Sequence, residues 1–182
     1  MLAPALLAAR PTFAGLPVPY FVGWVGGRPD FRLLDAQRQG FCFAYAKCAI
    51  CGSAAPAPKY LICGPIGLEN RVHTEPAVHE ACARYALFTC PYLSRADSAR
   101  RQDYPAGSRY SHGGLAEKPD ELFLVELDKW QLLRVPSGRL LNFRAVRTLR
   151  YYYQGSQLVE DTAGWQRVPL STTWRQRGGV PA

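Results

Sequence analysis

The chain has 182 residues, enough for one compact domain or for a small core with appended elements. Its hydrophobic share of 48% and aromatic share of 12% exclude a disordered chain, and no run approaches the roughly 20 apolar residues a membrane-spanning helix needs. The formal net charge is +8, and all but four of the 22 basic residues are arginine, a bias that suits phosphate binding and a GC-rich coding sequence equally.

Residues 1–16 read as a flexible arm. The apolar start MLAPALLAAR lacks a basic segment before it and is broken by Pro4 and Arg10, so it does not fit a signal peptide. PVPYFVGWVGGRPDFRLLD (17–35) has alternating runs on either side of Gly26-Gly27, which predicts a β-hairpin with strands near 19–25 and 30–34. Tyr20, Val22 and Trp24 share one face, expected to pack on the unit that follows. AQRQGFCFAYAK (36–47) suggests a short helix interrupted at Gly40.

The segment 48–90 carries the strongest pattern. It opens with Cys48-x-x-Cys51-Gly52 and later presents His79-x-x-Cys82. Zinc takes thiolate and imidazole ligands in a closed tetrahedron, and such ligands come in pairs two to four residues apart. Cys48 and Cys51 fit a tight knuckle, with Gly52 supplying backbone freedom. Thr74 is a candidate cap for a helix through PAVHEACARYALF, placing His79 and Cys82 at i and i+3 on one face. Between the pairs, KYLICGP and NRVHTE flank the Gly-rich GPIGLE and predict two short strands joined by a turn. Knuckle, hairpin and ligand-bearing helix is the order of a treble clef holding one structural Zn²⁺. The competing reading is buried free cysteines with a satisfied histidine. Cys63 and His73 are alternative ligands in the expected hairpin, Cys42 reads as core, and Cys90 reads as a helix-end thiol. Along a continuous helix Cys90 would stand about 12 Å from Cys82, too far to share its zinc.

Residues 94–120 are polar and rich in Gly and Pro, the pattern of a linker or long loop, with Arg95, Arg100, Arg101 and Arg109 as possible phosphate contacts and His112 as a surface histidine. From 121 to 182 the chain turns β-rich. Runs near 122–127, 130–135, 139–143 and 146–153, with turns at 128–129, 136–138 and 154–155, predict an antiparallel meander. This part packs with 17–93 or stands alone. Arg144, Arg147, Arg150, Tyr152, Arg167, Trp174 and Arg175 interleave cations with rings, as a surface for single-stranded nucleic acid or another partner would. The same residues also suit an ordinary charged sheet face.

The fold class expected is therefore α+β. The motifs PVPYFVGWVGGRPDFR, Cys48-x-x-Cys51-Gly52, Gly64-Pro65, Asn70-Arg71, Glu75-Pro76, His79-x-x-Cys82-Ala83 and Cys90-Pro91-Tyr92-Leu93 resemble those of uncharacterised small zinc-binding proteins of phage, prophage and actinobacterial genomes. That resemblance covers 17–93 and implies phage origin and the zinc unit. The function expected is a non-catalytic, zinc-stabilised accessory protein of the host-takeover kind that binds a host or phage protein or a nucleic acid in the bacterial cytoplasm. No membrane or small-molecule substrate is implied. Two alternatives stand beside it: a virion or structural protein, and an HNH-like metal-dependent nuclease using Asn70, His73 and Glu75. Against the nuclease, the strand KYLICG lacks the histidine that would activate water.

Overall fold

The computed structural model describes residues 2–98, 118–135 and 138–169. The chain is α+β with mostly antiparallel strands. A short 3-10 turn at Ala5–Leu7 leads into β1 (Thr12–Phe13) and β2 (Leu16–Pro17), a minimal antiparallel pair. Then β3 (Val22–Val25) and β4 (Arg28–Leu34) form the hairpin expected around Gly26-Gly27. Both glycines have positive φ, at 56° and 76°, which a two-residue hairpin turn requires.

Helix α1 (Ala36–Ala44) runs through Gly40 without interruption; Asp35 caps it by accepting the Arg38 amide at 3.0 Å. After the knuckle come β5 (Lys59–Cys63), α2 (Pro65–Asn70), β6 (Val72–His73), α3 (Glu80–Thr89) and α4 (Pro91–Ser94). The hairpin expected between the ligand pairs does not form. GPIGLE is helical because Pro65 opens a helix at its first position and Arg71, at φ 57°, closes it. The strands on either side then pair elsewhere, β5 with β7 (Glu121–Val135) and β6 with β8 (Gly138–Gln154).

With β9 (Gln157–Glu160) and β10 (Gln166–Arg167), these strands make a six-stranded sheet whose spine is β10-β8-β7-β5. The expected turn at 128–129 is a bulge inside one long strand: Leu127 pairs with Ala145, and Lys129 with Arg144. Two long strands therefore replace four short ones. Of residues 94–120, expected as linker, 99–117 lie outside the described residues.

Alternation along the strands separates two apolar clusters on opposite faces of the sheet. Tyr60, Leu122, Leu124, Leu149 and Tyr151 face the knuckle and α3, where Ala83 and Leu87 are fully covered. Leu61, Cys63, Val125, Leu127, Leu141 and Phe143 face the other way, toward Phe43 of α1 and Leu68 of α2. One sheet is thus the common wall of both cores. No helix among the described residues is long and apolar enough to cross a membrane.

Candidate metal centre

The knuckle is built by its own backbone. The Gly52 amide donates to the Cys48 carbonyl at 2.8 Å, and the Cys48 amide to the Ser53 carbonyl at 2.9 Å, closing residues 48–53 into a turn. Gly52 sits at φ 84°, and a Cβ there would lie 2.7 Å from the Tyr20 ring. Tyr20 roofs the turn, and its amide donates to Ile50 O at 2.8 Å while Phe21 donates to Ala49 O at 3.2 Å. The segment entering the hairpin thus packs on this unit through Tyr20 and Phe21 rather than through the expected face of Tyr20, Val22 and Trp24; Trp24 is 40% exposed.

The second pair arrives differently from the expectation. Val78 and Tyr60 exchange both backbone hydrogen bonds, at 2.9 and 3.0 Å, so residue 78 is extended at the outer edge of β5. Helix α3 cannot begin at Thr74 and begins at Glu80, with His79 at its N-cap. His79 and Cys82 still lie one turn apart, and Cys82 falls in the first turn, where the helix dipole favours a thiolate.

The four side chains meet. One ligand atom from each of Cys48, Cys51, His79 and Cys82 lies within 4.8 Å of all the others. His79 Nδ1 is 3.4 Å from Cys51 Sγ and 3.8 Å from Cys82 Sγ. Zinc bonds of about 2.3 Å to sulfur and about 2.0 Å to nitrogen put the S···N edge of a tetrahedron at about 3.6 Å. These ligands can hold a metal ion such as zinc with little adjustment. The far nitrogen, Nε2, lies 2.9 Å from Ala54 O. That carbonyl needs a donor, so Nε2 carries the proton and Nδ1 keeps its lone pair for a metal.

Electrostatics point the same way. The three thiols are buried, Cys48 and Cys82 completely. Cys48 is pulled down to about 5 by a hydrogen bond from Cys82, with help from the amides of Ile50, Cys51 and His79. The same bond, together with burial, pushes Cys82 strongly up. Three thiolates at this spacing require a cation to ionise together. Ser53 Oγ lies 2.9 Å from Cys51 Sγ and adds a donor to that ligand.

The other thiols and histidine stand apart. Cys63 is on the opposite face of the sheet, where burial pushes it up to about 12. His73 Nδ1 accepts the Glu75 amide at 3.1 Å and is occupied by that turn. Cys42 is a core thiol, raised to about 11 chiefly by burial. Cys90 is partly buried and joins α3 to α4, as a helix-end thiol should. Asn70 ends α2 and His73 lies in β6; among the described residues they form no second group of three or more metal-ligating side chains.

The basic candidates are largely matched to carboxylates. Arg144 pairs with Asp128, Arg147 with Glu126 at 2.6 Å, and Arg150 with Glu121 at 2.5 Å and Asp161 at 3.6 Å. Tyr152 packs its ring 5.8 Å from the Arg150 guanidinium. Arg167 lies exposed in β10, while Trp174 and Arg175 lie outside the described residues. Sequence reading missed how these charges are joined. Arg84 of α3 bonds Glu80, Glu160 and the Tyr151 hydroxyl, and Tyr60 donates to Glu126, with Trp165 lying between Arg84 and Arg147. Partners up to 76 residues apart leave no local signal, whereas Ser53 and Ala54 beside the knuckle were within reach of one.

No protein-family model, no curated protein and no solved structure matches this chain.

Proposed function

We propose that the chain is a non-catalytic, zinc-stabilised module that binds a macromolecular partner. The observation that carries this reading is the closed donor set: three cysteines and one histidine, with the second histidine nitrogen bonded to the Ala54 carbonyl. Four protein ligands leave no open position for water or substrate, which is the arrangement of a structural zinc. Its work is to tie the knuckle to the start of α3 and, through both, to the first apolar cluster. The unit keeps the knuckle and the ligand-bearing helix of a treble clef, with a strand-helix-strand connection where that fold has a hairpin.

Phage-type accessory function and a cytoplasmic setting rest on the resemblance described above and on six unpaired cysteines, which suit a reducing compartment. For the partner, a protein is favoured over nucleic acid, because Arg144, Arg147 and Arg150 already face carboxylates. The test is metal analysis of the purified chain, together with whatever copurifies at low and at high salt. One zinc per chain with a salt-resistant protein partner is expected. Nucleic acid lost at high salt would transfer the partner assignment to phosphate chemistry. Absence of zinc would overturn the reading.

A further inference from the structure

A zinc held by three thiolates and a neutral imidazole is not a neutral centre. Around Zn²⁺, the ligands Cys48, Cys51, His79 and Cys82 leave one negative charge. The three thiols lie in an apolar cluster with Leu7, Phe21 and Leu87, where a net charge is costly unless an opposite one stands near it. The Ser53 hydroxyl beside Cys51 and the amides around Cys48 offer dipoles, which leave that charge in place.

Arg10 offers the opposite charge. This residue, which interrupts the apolar start of the chain, lies beside the Tyr20 ring, its guanidinium carbon 5.4 Å from the centroid. Tyr20 is the roof of the knuckle, in contact with Gly52. The arm is fastened there: Arg10 Nε donates to Val18 O at 3.0 Å, the Val18 amide donates to Pro11 O at 2.7 Å, and Leu7 is buried in the first cluster. Arg38 stands at the same distance from the ring but is paired with Asp35 at 3.4 Å. Arg10 forms no ion pair with a carboxylate among the described residues. Burial and the neighbouring Arg38 lower it below its usual value, and the groups that oppose them are Tyr20 and the ligand Cys51.

We propose that the Arg10 guanidinium is the counter-charge of the zinc centre, held over the knuckle by Tyr20, so that the N-terminal arm takes part in retaining the metal. The inference rests on the zinc reading above and adds to it a positioning residue outside the segment that carries the ligands. Arg10 and the loaded centre are together neutral, which suits the apolar cluster around them. Arg10 also fastens the arm through Val18 O, and charge separates the two roles.

Zinc binding by the full chain, measured by competition with a chromogenic chelator at low and at high sodium perchlorate, tests the proposal. Arg10→Gln should weaken zinc binding about two- to fivefold at low salt, the range of a partly exposed charge pair, and the gap should narrow at high salt. Arg10→Lys keeps the charge and should retain most of the wild-type affinity. Arg28→Gln, which removes a charge beside the hairpin turn, should leave it unchanged. With Co²⁺ in the site, the sulfur-to-metal charge-transfer band should move to longer wavelength in Arg10→Gln alone, because a thiolate without its counter-charge gives up an electron more readily. Far-UV circular dichroism checks the fold of each variant. Equal losses in Arg10→Gln and Arg10→Lys, a loss that salt does not reduce, or an unmoved Co²⁺ band overturns the proposal and leaves Arg10 the fastening of the arm. Wild-type affinity in Arg10→Gln overturns it with the zinc site intact, whereas a wild-type chain that binds no zinc overturns the proposed function as well.

Discussion

Gly52 answers two constraints at once, a φ of 84° and the Tyr20 ring 2.7 Å from any Cβ placed there. Gly52→Ala should therefore cost about 1–3 kcal/mol and lower zinc affinity, read by denaturant unfolding and by competition with a chromogenic chelator. The ligands themselves divide more sharply. Removing Cys48 or Cys82 leaves three donors for a cation whose binding is also folding free energy, of order 10 kcal/mol in small zinc units. Cys48→Ser and Cys82→Ser should lose the metal and the cooperative unfolding of the knuckle and α3. Cys42→Ser, a core thiol off the cluster, should keep one zinc per chain and lose only about 1–3 kcal/mol. Equal zinc in all three variants and in the wild type would refute the ligand assignment.

The sheet beside the candidate metal site carries two covered tyrosines, one buried and one partly buried. Tyr60 on β5 and Tyr153 on β8 are each pushed up to about 12, chiefly by burial. Their folded-state values lie above the unfolded one near 10, so the stability they contribute is whole below pH 10 and falls as pH rises toward 12. The denaturant midpoint should drop across that window, and Tyr60→Phe should make the drop shallower; an unchanged slope would count against a buried Tyr60 hydroxyl. These elements also mark what could be read in advance. The hairpin at 22–34 was legible because Gly26-Gly27 is a local turn signal, and both ligand pairs because their spacing is local. The connection at 64–70 reads as a turn from the glycines in GPIGLE, whereas Pro65 at the first helical position makes it a helix. The start of α3 was hidden because the two-bond bridge from Val78 to Tyr60 outweighs the capping preference of Thr74, and a bridge across 18 residues has no sequence period. Asp128-Lys129 looked like a turn because a bulge also breaks alternation; only the continuous pairing of β7 with β8 distinguishes them.

At the scale of the whole molecule, the two apolar clusters share the sheet but not the candidate metal site. Cys48, Cys51 and Cys82 belong to the first cluster, with Ala49, Ile50, Val78, Leu122, Leu124 and Tyr151; the second contains no residue of the four-ligand group. Withdrawing a cation from this site makes buried thiolates take up protons, and Cys48–Ala55 and Ala77–Thr89 lose the link that it would supply between them. The second cluster still has β7 paired with β8 along their whole length, with Val125, Leu127 and Phe143 packed beneath α1 and α2. Chelation by EDTA should therefore unfold the protein in two stages. Amide hydrogen exchange should rise first in the knuckle and α3, while amides around Val125 and Phe143 keep most of their protection. The graded response follows from a wall strand whose two faces serve different cores: loss of one core strips Leu122 and Leu124 of their cover without unpairing Val125 and Leu127. If all protected amides exchange together on chelation, the clusters are one cooperative unit and the metal holds the entire fold. If none respond, the four ligands are held by packing alone and the zinc has no structural work to do.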